Sequence, residues 1–142
     1  MENKTECYNF DDFNFPLIHD DIQNIIQKMK QDFSIATASV SIICLDRNAL
    51  REMKKKYFAE DRFTDVISFL FETSKDSLEG EIYISPEDIK LNAVEFNTSY
   101  QNEAARIIIH GMLHLLGYDD IESEDKKEMT DLENKFLSIL AY

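Results

Sequence analysis

Ile107-Ile108-Ile109-His110-Gly111-Met112-Leu113-His114-Leu115-Leu116-Gly117-Tyr118-Asp119-Asp120 is the stretch on which the reading of this chain turns. Thr98-Ser99-Tyr100-Gln101 offers a cap ahead of it, so a helix is expected to run to about Leu116. Gly117 stops that helix, because glycine adopts the left-handed backbone that ends helices at little steric cost. His110 and His114 lie four apart, so one turn sets both imidazoles on the same face, a spacing that suits two ligands of one metal. A glycine turn after the second histidine lets the chain fold back, which brings a residue near Asp120 toward the same point. This is the logic of His-x-x-x-His-x-x-Gly-x-x-His zinc sites with aspartate in the last place. Asp119 is the rival third ligand, and the spacing favours Asp120.

A histidine pair at this spacing is by itself common in helix cores, but here the glycine and the acid stand in register with it. The remaining histidine, His19, lies in a polar stretch near a helix start and reads as a solvated surface residue. In zinc proteases a glutamate after the first histidine activates water; here that position is Gly111, which argues against peptide hydrolysis by that route. Three protein ligands still leave a fourth position open, where a metal makes bound water a stronger acid or polarises a phosphate oxygen.

Working outward, Leu17, Ile22, Ile25, Ile26, Met29 and Phe33 recur at helical spacing, and Ser39 to Leu45 reads as a strand. Asn48 to Phe58 reads as a helix. Thr64 to Phe71, rich in β-branched and aromatic residues, reads as a central strand, with Glu81 to Ile84 a second, shorter one. Ser85-Pro86-Glu87-Asp88 is a helix start: serine caps, proline fits the first turn, and two acids favour the positive helix end. From Glu122 to Leu140, Met129, Leu132, Phe136, Leu137 and Leu140 form one apolar stripe. The expected fold is α+β: a small mixed sheet of about four strands packed with about five helices, in a single domain spanning 1–142.

The 142 residues include 28 Asp and Glu against 15 Lys and Arg, a formal charge of −13, which sets the whole molecule against nonspecific binding of nucleic acid or anionic membrane. Cys7 and Cys44 are too few for a disulfide scaffold, and Cys44 lies in an apolar run, so a reducing cytoplasmic setting is expected. The start of the chain lacks the basic and apolar regions of a signal peptide, and the longest near-apolar stretch, Ile107 to Leu116, is too short to span a bilayer.

His110-Gly111-Met112-Leu113-His114-Leu115-Leu116-Gly117-Tyr118-Asp119-Asp120 closely resembles the His-Gly-x-Leu-His-Leu-x-Gly-Tyr-Asp-His motif of the YbeY family, metal-dependent endoribonucleases that act in ribosomal RNA maturation. Tyr57, Thr64-Asp65-Val66-Ile67-Ser68-Phe69, Gly80-Glu81-Ile82 and Glu103 fall in that family's order and spacing, so the likeness covers roughly residues 40 to 135. The resemblance implies one zinc ion held by His110, His114 and Asp120. It further implies single-strand-specific RNA cleavage in 3′-end processing of small-subunit ribosomal RNA, and a part in ribosome quality control. The implied partners are ribosomal RNA or a pre-ribosomal small subunit, or else a ribosomal protein, with no DNA and no membrane. Two positions depart from the family: its third histidine is Asp120 here, and the arginine that commonly follows the tyrosine is Phe58.

Between Arg47 and Arg62 six basic residues stand against three acidic ones, a local +3 in an acidic chain. Within it Lys55, Lys56 and Arg62 are the candidate phosphate contacts. Glu103 lies on the same helix stripe as His110, about two turns away and too far to be a ligand. It reads as an outer support of the site or as a first-turn acid favoured by the helix dipole. The catalytic general base is not identified by the sequence, and a metal-stabilised ribosome-assembly factor without catalysis is the second reading.

Overall fold

The computed structural model describes residues 2–142. Among these residues the chain forms β1 (Lys4–Tyr8), α1 (His19–Asp32), β2 (Thr37–Cys44), α2 (Arg47–Phe58), β3 (Val66–Thr73), β4 (Ser77–Ile84), α3 (Pro86–Glu95), α4 (Tyr100–Leu115) and α5 (Ser123–Leu140). Four strands and five helices make the α+β layer that the sequence pattern predicts. The sheet order is β1-β2-β4-β3, with β1 parallel to β2, β2 parallel to β4, and β3 antiparallel to β4.

Alternation decides which face of the sheet is covered. Ala38, Val40, Ile42 and Cys44 of β2, with Leu78, Ile82 and Ile84 of β4, are all buried and belong to one core with α1, α4 and α5. The intervening residues, Ser39 and Ser41 on β2 and Glu79 and Glu81 on β4, are only partly covered. Helix α4 is the centre of the molecule. It packs on β3 and β4 on one side and against α1, α3 and α5 elsewhere. Ala104, Ala105, Ile107, Ile108, Ile109, Met112, Leu113 and Leu115 are all buried, so this helix is apolar nearly all the way round. After its first turn, the partly exposed positions are Arg106, His110 and His114, one line at a spacing of four that begins at Asn102. That line is where chemistry reaches the surface.

Two expectations for the strands are corrected. Val66–Thr73 is an edge strand, not a central one: it pairs only with β4, Leu70 and Phe71 are exposed, and the register shifts between Leu70 and Glu72. Phe71 is the extra residue of that bulge, a device that bends and blunts sheet edges. The strand at Glu81 to Ile84 is longer than expected, running from Ser77, and it is the one lying inside the sheet. β-Branched composition cannot separate these cases, because it reports a pleated half-buried surface and not the number of neighbours. The polar start of the chain also hides β1, whose Cys7 pairs with Ile42 and packs against the core.

Helix ends follow the sequence closely. Asp46, Ser85 and Ser99 accept hydrogen bonds from the backbone N–H of Ala49, Asp88 and Asn102. At the end of α4 the Gly117 N–H donates to the His114 carbonyl and the Tyr118 N–H to that of Leu113, while Gly117 holds φ +99°. That paired pattern turns the chain back toward the helix face carrying the histidines.

Candidate metal centre

His110 and His114 meet through their Nε2 atoms, 3.0 Å apart, with ring centroids separated by 4.6 Å. The Gly117 turn returns Asp120 to the pair, placing its Oδ2 3.6 Å from His110 Nε2. One ligand atom from each of His110, His114 and Asp120 falls within 4.8 Å of the others. Asp119, the rival, is exposed and accepts a hydrogen bond from the Ile121 N–H.

Both imidazoles are oriented from behind. His114 Nδ1 lies 3.0 Å from the Tyr118 carbonyl oxygen, so it carries the proton and donates. His110 Nδ1 lies 2.6 Å from Glu133 Oε2 and donates to that carboxylate. With both Nδ1 atoms engaged as donors, both Nε2 atoms point into the space shared with Asp120, and displacing the proton held between them frees both lone pairs for a metal. Two neutral imidazole nitrogens and one carboxylate oxygen are a donor set that fits zinc and leaves a further coordination position open.

Electrostatics shift the pKa values of the two rings in opposite directions. Burial pulls His110 down, but the hydrogen bond and charge of Glu133, with the charges of Asp120 and Asp65, outweigh it and hold the ring above its ordinary value. Burial, and then the charge of His110, hold His114 below its ordinary value. Glu133 is itself anchored, accepting from Arg106 Nη1 at 2.9 Å, while Arg106 Nη2 donates to Asn134 Oδ1 at 2.7 Å. Glu133 is 6% exposed, so this bridge lies largely out of water. Its sequence signal was present: Glu133 stands four after Met129 and four before Leu137, an acid inside an apolar helical stripe.

Gly111 faces the sheet and not the metal side. A Cβ there would meet Ile82 Cγ2 at 2.8 Å and Ser68 Oγ at 3.2 Å, and the Gly111 carbonyl accepts a hydrogen bond from Ser68 Oγ. The position therefore serves close packing of α4 on β3 and β4, which leaves no room for the glutamate of a zinc protease. Glu103 is buried in the first turn of α4, 3.9 Å from Arg106, and shares a polar cavity with Arg106 and Glu133. It is not among the ligand atoms. His19 is exposed, as expected, with Nε2 2.8 Å from the Thr5 carbonyl oxygen.

Part of the basic segment lies beside the site. Lys55 and Lys56 are exposed in the last turn of α2, and Arg62 is paired with Glu60. The lysine that lines a cleft with His114 is Lys54, together with Phe58, Val66, Ile67 and Ser68.

A model of the endoribonuclease YbeY family matches residues 2–141, nearly the whole chain. The chain belongs to the YbeY family. Among relatives, the endoribonuclease YbeY of Chloroherpeton thalassium is 34% identical, the match covering 84% of each chain. That of Fusobacterium nucleatum is also 34% identical, with 98% of this chain and 91% of the relative covered. The solution structure of TM1509 from Thermotoga maritima superposes with a TM-score of 0.62 at 26% identity, covering 96% of this chain and 88% of that one. Within this YbeY chain no described helix is long and apolar enough to cross a membrane.

Proposed function

We propose that this chain is a zinc-dependent endoribonuclease, holding one ion, that cuts single-stranded RNA during 3′-end maturation of small-subunit ribosomal RNA and in ribosome quality control. The observation that carries this reading is the convergence of His110, His114 and Asp120 within 4.8 Å, beside an open cleft, in a member of an endoribonuclease family. A divalent ion held by those three residues would supply positive charge to a phosphodiester oxygen and acidity to water. The chain's own part is positional. Glu133 and the Tyr118 carbonyl fix the two rings, Asp120 adds a negative ligand that favours a dication, and Gly111 lets the helix sit tight on the sheet that forms the cleft wall. Lys55 and Lys56, exposed at the end of α2, and Arg62 steer and contact phosphates in an otherwise repulsive molecule.

A cytoplasmic setting fits the two free thiols, which burial pushes up to about 11 at Cys7 and about 12 at Cys44, leaving both protonated and unreactive at neutral pH. The −13 charge and Phe58 support a second reading, an assembly factor in which the metal only ties the helix end to the loop and a ribosomal protein or RNA is bound without cleavage.

Metal removal separates the two. Protein stripped by chelation and protein reconstituted with zinc are incubated with a single-stranded precursor fragment of small-subunit ribosomal RNA and with the same fragment in duplex. The expected result is cleavage of the single strand by the zinc form alone. Stoichiometric zinc binding with no cleavage overturns the nuclease reading in favour of the assembly factor, and cleavage indifferent to metal overturns the site.

A further inference from the structure

Between the end of α2 and strand β3 lies an open cleft of about 290 Å³, lined by Lys54, Phe58, Val66, Ile67, Ser68 and His114. That is roughly ten times the volume a water molecule takes in the liquid. We infer that this cleft seats a phosphodiester of single-stranded RNA, and that Lys54 is the cation that holds it. The inference deepens the nuclease reading and rests on it.

His114 and Lys54 line the same cleft. The Nε2 of His114 belongs to the ligand triangle, so an anion seated here lies against the metal centre and the lysine together. The Lys54 ammonium sits 4.6 Å over the Phe58 ring, and Phe58 is backed by Phe69 in a stacked arrangement at 5.9 Å. The aromatic pair thus holds the lysine in the cleft by cation–π attraction. Its side chain is only 16% exposed, against 59% for Arg62, so its charge is the less screened by solvent.

Neighbouring charges leave Lys54 free to change partner. Its contact with Glu60 is long, 3.5 Å, and Glu60 also accepts from Arg62 at 3.0 and 3.1 Å. When Lys54 turns to a phosphate, Glu60 keeps Arg62. The other arginines of the segment are engaged with acids of their own: Arg51 with Asp61 at 2.8 Å, and Arg47 with Glu87 and Asp88 at 3.2 and 2.9 Å. The hydroxyl of Ser68 is committed to the Gly111 carbonyl, and Val66 and Ile67 are apolar. Among the described residues, Lys54 is therefore the one lysine or arginine lining this cleft.

The test uses the full chain loaded with zinc, a labelled single-stranded oligoribonucleotide, and the variants Lys54→Met and Lys54→Arg, with zinc content and melting temperature recorded for each. Lys54→Gln is a second neutral variant should methionine disturb the packing on Phe58. Loss of one phosphate contact on a single strand lowers the slope of log affinity against log salt by about 0.7. The expected result for the neutral variants is that slope change, a fall of roughly tenfold in affinity at low salt, and lowered kcat/KM at unchanged zinc content. Lys54→Arg is expected to stay within threefold of the parent. Neutral variants that bind with the parent's affinity and salt slope overturn the assignment of Lys54 while leaving the nuclease reading intact. A parent protein that binds zinc but neither binds nor cleaves the oligonucleotide overturns the reading beneath it, and the inference with it.

Discussion

Glu133 Oε2 lies 2.6 Å from His110 Nδ1, so a carboxylate from α5 sets the tautomer and direction of an imidazole on α4. The same carboxylate receives Arg106 on its other oxygen at 2.9 Å. A metal-ligand histidine held from behind in this way is a more basic and better-aimed donor. Glu133→Gln is expected to keep the fold and the shape of the site while weakening metal affinity by about 10- to 100-fold, the usual cost of losing such a support. Competition against a chromophoric chelator measures it. Unchanged affinity in the variant would show that Glu133 serves packing alone.

Asp120 and Asp119 are adjacent in sequence and differ in placement, since only Asp120 falls within the 4.8 Å ligand group. Asp120→Ala is expected to lower zinc affinity by at least about tenfold, as loss of one of three protein ligands should. Asp119→Ala should change it by less than threefold. Isothermal titration of both variants checks the pair, and equal losses would contradict the assignment.

Burial pushes the Glu103 carboxyl from its ordinary value near 4.5 up to about 7, against the opposing pull of Arg106. A carboxyl whose folded value is raised favours the folded state fully only at low pH. Its contribution is lost as pH rises from about 4.5 through about 7, by up to about 3 kcal/mol. The melting temperature of the parent protein should therefore fall between pH 5 and pH 8 by more than that of Glu103→Gln. Parallel pH profiles for the two proteins would rule out Glu103 as the source.

At Gly111 the nearest atoms to an added Cβ belong to Ile82, which is fully buried, and to Ser68. Gly111→Ala is expected to destabilise the protein by about 1–3 kcal/mol, the range for overpacking a closed core. Denaturant unfolding measures it, and a neutral or stabilising result would mean that α4 can retreat from the sheet without loss.

Which parts of this architecture could be read from the chain follows from how far each interaction reaches. The α4 helix, its Ser99 cap, the Gly117 turn and the return of Asp120 are local: all lie within 22 residues and obey capping and turn rules that a sequence displays. The edge position of β3 depends on which strands pair across the sheet, and its composition does not encode that. Glu133 and His110 are 23 residues apart and Lys54 and His114 are 60 apart, so their meeting is set by how α5 and α2 dock. Even so, Glu133 stands inside the apolar stripe of α5, four after Met129 and four before Leu137, which is the signal that could have pointed to it. No such mark separated Lys54 from Lys55 and Lys56; only the direction in which α2 docks on β3 does that.

The proposed zinc site places one metal ion among His110, His114 and Asp120. Anomalous diffraction at the zinc edge, from crystals of zinc-reconstituted protein, tests it most directly. A single strong peak per chain is predicted, about 2.0–2.2 Å from His110 Nε2, His114 Nε2 and a carboxylate oxygen of Asp120, with Glu133 still on His110 Nδ1. A peak elsewhere, ligation through Nδ1, or no peak at full zinc loading would contradict it.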